Sequence, residues 1–176
     1  MKLLSIVILA LAISGCSNPI ANRTPINQMF PSVAGEDLNK NNVNLPSLFQ
    51  GKTSLVLVGY VQDAQFDIDR WLIGLDMTET QVAAYELPTI GGMFPRMFET
   101  YINEGMRAGI PKSLWGGVIT IYDDADKIRL LTGTENPNNA RVILLNSEGK
   151  ITFFYDEGFS VEALNNLRDV LAAISI

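Results

Sequence analysis

Residues 53–60 (TSLVLVGY) form an almost unbroken apolar run. A strand that is apolar on both faces must be covered on both faces. The run therefore predicts a central strand inside a layered structure, not a half-exposed edge. The pattern around it alternates. Residues 66–75 (FDIDRWLIGL) carry Phe66, Arg70 and Ile73, and Ile68, Trp71, Leu72 and Leu75, at helical spacing, with Asp67 and Asp69 in a first turn that suits the helix dipole. A second strand over 81–87 (QVAAYEL) is stopped by Pro88. A helix over 94–106 follows, with Pro95 in its first turn, where proline is tolerated. Then come a strand over 117–122 (GVITIY) and a short acid-led helix over 123–131. Strands over 141–146 (RVILLN) and 150–155 (KITFFY) are joined by the tight turn Ser147-Glu148-Gly149. The last element is a helix over 160–173. Ser160 is its N-cap, and Val161, Leu164, Leu167, Val170, Leu171 and Ile174 form one apolar stripe. Strands alternating with helices predict an α/β fold, a central mixed sheet with helices on both faces. At 176 residues, with 47% hydrophobic composition and no repeat, one domain with one core is expected.

The first residues are a different kind of segment. Lys2 precedes an apolar stretch over 3–13 that is too short to span a bilayer, which takes ~20 residues, and has the length of a signal-peptide core. The sequence Ile13-Ser14-Gly15-Cys16 resembles a bacterial lipobox, and Cys16 is the only cysteine. The resemblance implies cleavage before Cys16 and acylation of its thiol and new amino group. Several acyl chains at ~0.8 kcal/mol per buried CH₂ would hold the chain at a membrane almost permanently. The expected organisation is a leader at 1–15, the lipidated Cys16 with a flexible tether at 16–28, and a folded domain at 29–176. Residues 17–27 (SNPIANRTPIN) read as a tether without structure of its own. In a Gram-negative envelope, Ser17 after the lipidated cysteine resembles the sorting signal for the outer membrane, facing the periplasm.

Composition excludes several chemistries. The chain has no histidine, so it holds no Ser-His-Asp triad, Cys-His pair, His-ligated zinc or imidazole base. A single cysteine permits no intrachain disulfide and no CxxC pair. A net charge of −6 and a pI near 4.6 argue against a nucleic-acid partner. No phosphate loop, dinucleotide fingerprint or nucleophile elbow occurs. No cofactor, metal or catalytic residue is expected. Asp63, Asp67 and Asp69 read as helix N-terminal capping, with a cation or partner contact as the alternative. Asp123, Asp124 and Asp126 lack the glycine and distal glutamate of a calcium loop and read as a solvated helix start. Phe94, Met97, Phe98, Tyr101 and Met106 form a helical stripe expected in the core, or otherwise in a partner groove. Gly91-Gly92 and Gly116-Gly117 flank this region. Residues 101–115 hold Arg107 and Lys112 among apolar residues and read either as a contact surface or as a plain connector ending on a buried Trp115. Arg96 is a similar weak contact candidate.

The strand order resembles the thioredoxin fold with the extra β-α insertion of peroxiredoxins and membrane-tethered thioredoxin-like proteins. The lead Phe30-Pro31, then Leu45-Pro46-Ser47-Leu48-Phe49-Gln50-Gly51-Lys52, feeding residues 55–58, is common in such relatives. The resemblance implies a redox site just after the first core strand. Here that place is Tyr60-Val61-Gln62-Asp63-Ala64-Gln65, without a cysteine. The cis-proline of the family aligns with Ala140. A narrower resemblance links the chain, over roughly residues 30–171, to the family of the mitochondrial ATP synthase assembly factor known as factor ten. It is carried by Trp71, Tyr122-Asp123-Asp124, Leu131-Thr132-Gly133-Thr134-Glu135-Asn136, the strand 141–145, Gly149-Lys150-Ile151 and Gly158. It implies a non-redox thioredoxin-like protein that assembles membrane complexes. The expected function is thus a lipid-anchored binding or assembly factor with a protein partner in the envelope. Contact candidates are Tyr60, Gln62, Asp63, Gln65, Arg96, Arg107 and Trp115. A small-ligand- or metal-binding envelope protein, and a divergent thiol-redox or peroxidase enzyme, are the alternatives.

Overall fold

A computed structural model describes residues 19–174, so the expected leader, Cys16 and Ser17 lie outside the described residues. In chain order the elements are β1 (Val33–Asp37), β2 (Asn42–Leu45), β3 (Ser54–Gly59), α1 (Gln65–Met77), β4 (Ala83–Pro88), α2 (Met93–Met97), α3 (Glu99–Gly109), β5 (Ile119–Thr120), α4 (Ala125–Thr132), β6 (Arg141–Leu145), β7 (Ile151–Tyr155) and α5 (Val161–Ile174). Short 3₁₀ turns lie at Ser47–Phe49, Gln62–Ala64 and Lys112–Gly117.

The predicted central strand is β3, and all six of its residues are buried. It pairs in parallel with β4 and antiparallel with β6, which pairs antiparallel with β7, so the sheet order is β4-β3-β6-β7. Alternate side chains of β3 enter two cores. Val56 and Val58 join Phe49, Leu87, Ile121, Ile128 and Ile143 on one face. Leu55 and Leu57 join Ile68, Trp71 and Leu75 of α1 and Leu164 and Leu167 of α5 on the other. The Trp71 ring meets Tyr155 and Phe159 edge-on, at 5.8 and 5.4 Å between centroids. As expected, Ser160 caps α5, its Oγ accepting the Ala163 N–H at 3.0 Å.

Several expectations change. The hairpin β1–β2 had no counterpart in the sequence reading, because VAGED and NVNL offer little apolar alternation. It forms because Asp37 turns the chain, accepting the Asn41 N–H at 2.9 Å, and because β1 pairs with β5. The close approach needs Gly35: a Cβ there would sit 2.6 Å from Ile121 Cδ1. The strand expected over 117–122 shrinks to Ile119–Thr120, since Gly116 and Gly117 belong to a 3₁₀ turn. The helix expected over 94–106 breaks at Phe98, where φ is −111°, into α2 and α3. Three residues of the apolar stripe expected in the core lie outside it: Met97, Phe98 and Tyr101 are 72%, 56% and 81% exposed. Val161 and Ile174 of the α5 stripe, and Phe66 and Ile73 of α1, are exposed as well.

Candidate functional site

The C-terminal ends of β3 and β4, the C-terminal end of β7 and the N-terminal end of β6 share one end of the sheet. Backbone leaving parallel strands there has no ladder partner, so side chains must organise it. Asp67 does much of this. It is buried in the first turn of α1, yet neither oxygen caps that helix, which corrects the capping expectation. Oδ2 accepts the Ala140 N–H at 2.9 Å and Oδ1 accepts the Phe159 N–H at 2.7 Å. One carboxylate thus ties α1 to the residue before β6 and to the loop before α5. Of the other two acids, Asp63 is exposed in the 3₁₀ turn, and Asp69 accepts a hydrogen bond from Gln65 at 2.9 Å.

Arg141, the first residue of β6, has no exposed surface. Its guanidinium donates to the carbonyls of Asn136, Asn139 and Glu135 and lies 5.3 Å from the Tyr60 ring centroid. Burial lowers its pKa, which Tyr60 and Asp156 partly oppose. The Tyr60 hydroxyl lies 2.6 Å from Thr132 Oγ1, and burial pushes its pKa up to about 12. Tyr60 is therefore a neutral bridge from β3 to α4.

This polar cluster also receives the chain from the N-terminus. Residues 19–27, expected as part of a flexible tether, form no helix or strand but bond to the body at several points. Ile20 and Thr134 exchange two hydrogen bonds of 2.8 Å, from the Ile20 N–H to Thr134 Oγ1 and from the Thr134 N–H to the Ile20 carbonyl. Asn22 accepts the Glu135 N–H at 2.9 Å and donates to Asp156 at 2.7 Å. The Arg23 N–H reaches the Thr132 carbonyl and the Asn27 N–H the Ile151 carbonyl. Gly133, with φ +80°, passes under this strap so closely that a Cβ would lie 2.3 Å from Asn22 Cα. The strap reaches β7, the outer strand of the sheet, and occupies a position that edge strands otherwise leave open.

Beside the Asp67 staple is a cleft of 550 Å³, lined by Asp63, Phe66, Asp67, Arg70, Asn138, Asn139, Glu157, Gly158 and Phe159. Its rim carries the exposed ring of Phe66 and the nearby exposed Val61. The backbone of its far wall is already satisfied: the Asn139 N–H bonds Asn136, its carbonyl accepts from Arg141, and the Ala140 N–H is held by Asp67. The cleft therefore offers amides, carboxylates, one guanidinium and aromatic rings, not a free backbone edge.

The sequence-predicted contact residues scatter. Asp63 lines the cleft, and Gln62 lies exposed in the same turn. Gln65 donates to Asp69 and Glu86, and Tyr60 belongs to the interior cluster. Arg96 pairs with Glu99 and, at 3.1 Å, with Asp123. The Arg107 side chain is 7% exposed and pins α3 to the β1 end through the Leu38 carbonyl at 2.6 Å and Glu36 at 3.4 Å. Trp115 is half-buried, and its indole N–H donates to the Ile110 carbonyl. Asp124 accepts from Ala34 and pairs with Lys127, and Asp126 pairs with Arg129. Among the described residues no group of three His, Cys, Asp or Glu could hold a metal ion. The sequence reading missed Asn138, Asn139, Glu157 and Phe159. The available signal was the pair of asparagines directly before Ala140 and the glycine at 158.

The sheet order, the helices on both faces and the inserted α2–α3–β5 unit define a thioredoxin-like fold. Solved structures agree. The chain superposes on a thiol peroxidase from Chromobacterium violaceum with a TM-score of 0.57 at 11% identity, covering 90% of this chain and 92% of that one. It superposes on BsSco, a member of the Sco family of cytochrome c oxidase assembly proteins, with a TM-score of 0.60 at 12% identity, covering 88% and 98%. It superposes on the thioredoxin domain of a thiol-disulfide oxidoreductase from Bacteroides vulgatus with a TM-score of 0.52 at 19% identity, covering 84% and 98%. No family model matches the chain. No curated protein matches it in sequence.

Proposed function

We propose that this thioredoxin-fold protein is a lipid-anchored lipoprotein that works without thiol chemistry, binding an envelope or membrane protein during assembly of a complex. The observation that carries the reading is the cleft end itself. Where thiol-active members of the fold carry cysteines, this chain has Tyr60 locked to Thr132 and the turn Gln62–Ala64, with Gln62 and Asp63 exposed. The neighbouring Ala140 amide is engaged by Asp67. The exposed Phe66, the two wall asparagines and the acids Asp63 and Glu157 form a surface for recognition. Hydrogen bonding plus one aromatic anchor is the usual composition of a protein-binding patch. The sequence resemblance to factor ten, and the lack of a cysteine over residues 60–65, support an assembly role.

The test is a photo-crosslinking residue at Phe66 in the acylated chain, in its own membranes. A discrete adduct at Phe66, absent with the crosslinker at Glu148 on the opposite end, is the expected result. ATP synthase membrane subunits in that adduct extend the factor-ten resemblance to function. Thiol-disulfide turnover by the purified chain, or identical adduct patterns at both positions, overturns the reading.

A further inference from the structure

We propose that the cleft end of the molecule rests on the lipid bilayer, with Met97, Phe98 and Tyr101 entering its interfacial layer. The inference rests on the reading of Cys16 as the lipidated residue. Ile20 is fixed to the body by its two hydrogen bonds with Thr134. Cys16 lies four Cα–Cα steps before it, and a chain spans at most ~3.6 Å per residue, so the anchor lies within about 14 Å of Ile20. A body of this size has a radius of gyration of about 15 Å, so that reach does not extend to its far end. The strap meets the body where β6 begins and β3 ends, through Thr132, Asn22 and Arg141. That end must face the membrane.

The same end carries the unpartnered apolar surface. The chain leaves β4 there, the Thr89 N–H bonding the Gly59 carbonyl, and enters α2. Met97, Phe98 and Tyr101 then stand 72%, 56% and 81% exposed within five residues. Aromatic side chains favour the bilayer interface, and helices lying there bury their apolar face about 5–10 Å deep. The charges at this end set the lipid. Arg96 is neutralised by Glu99 and Asp123, while Asp63 and Glu157 face solvent at this end. A surface with excess acid is repelled by anionic headgroups, so the patch suits zwitterionic lipid.

The experiment uses the acylated full chain, purified and reconstituted in phosphatidylcholine vesicles. With Cys16 acylated, Tyr101→Cys or Met97→Cys supplies the only free thiol for an environment-sensitive fluorophore. Glu148→Cys, in the turn between β6 and β7 at the other end, is the control. All three side chains are exposed, so the fold tolerates the label. The expected result is a blue shift and several-fold stronger quenching by nitroxide-bearing lipid at positions 97 and 101 than at 148. Adding anionic lipid reduces that quenching. Quenching at 97 and 101 equal to or weaker than at 148 overturns the proposal. Mass analysis of the same sample separates the two readings. Cys16 without acyl groups removes the anchor and this proposal together, whereas acylated Cys16 with unquenched labels removes the docking alone.

Discussion

Asp67 shows how one side chain can take on a structural task that sequence spacing assigns elsewhere. Its position in a helix first turn is legible, but its partners, Ala140 and Phe159, are 73 and 92 residues away. Hydrogen bonds to a charged acceptor are worth ~1.5–3 kcal/mol each, and an orphaned buried N–H adds a desolvation penalty. Asp67→Ala should therefore cost at least about 3 kcal/mol, read as a fall of about 10 °C or more in Tm. Asp67→Asn, which offers one acceptor where two are needed, should fall between the two; a Tm within a degree of the parent would show that the staple contributes nothing. Glu86 gives a prediction with a pH sign. Burial raises its carboxyl above the ordinary 4.5, and the Gln65 hydrogen bond only partly opposes this. The folded state then binds its proton more tightly than the unfolded state, so this group's contribution to stability falls as pH rises from the ordinary carboxylate value through the raised one. Glu86→Gln should accordingly gain on the parent as pH goes from 4 to 7, in paired chemical denaturations. A gain that shrinks over that range would contradict the burial account.

Among the elements, the strap over 19–27 is the least expected. It makes no regular secondary structure, yet Ile20, Asn22, Arg23 and Asn27 each bond the body. Its seat is Gly133, where φ is +80° and any Cβ would strike the strap backbone. Gly133→Ala should cost roughly 1–3 kcal/mol, since it adds both a left-handed penalty and a clash. Hydrogen exchange should localise the damage: the Arg23 and Thr134 amides should lose protection while β3 amides keep theirs. Uniform loss would mean that the strap and sheet open as one unit. The elements that periodicity did reveal are those whose pattern one sheet face or one helix stripe dictates. β3 reads as a double-sided apolar run, α5 as an N-cap followed by a stripe, and β6–β7 as two strands around a glycine turn. The missed ones obey longer-range causes. β1–β2 is stabilised by Asp37 and by pairing with β5, and α2–α3 breaks at Phe98 although its apolar spacing runs on unbroken. The cleft was half legible. Of residues 60–65 only Asp63 lines one wall, and the other is held by Asp67 and Arg141, whose partners no local spacing encodes.

At the scale of the whole molecule, the two cores are separate in space but not in the chain. β3 sends Val56 and Val58 to one and Leu55 and Leu57 to the other, and β6 divides Ile143 and Leu145 from Val142 and Leu144 in the same way. Neither core can lose its packing without loosening strands that the other needs. Phe49, 4.8 Å from Tyr85 between ring centroids, anchors the first core, and Trp71 anchors the second. Each is fully buried, and truncating such a ring to alanine costs ~3–5 kcal/mol. If the cores were independent, Phe49→Ala would split the melt into an early and an unshifted transition. The shared strands require instead that Phe49→Ala and Trp71→Ala each displace one transition, with calorimetric and van't Hoff enthalpies equal. The two sites lie on opposite faces of the sheet, so their costs should add. Their sum of about 6–10 kcal/mol approaches the whole stability of a domain, which is ~5–15 kcal/mol, so the double variant should be largely unfolded at 25 °C. A double variant that keeps one core's hydrogen-exchange protection would show the sheet to be a partition between two folding units and not a common scaffold.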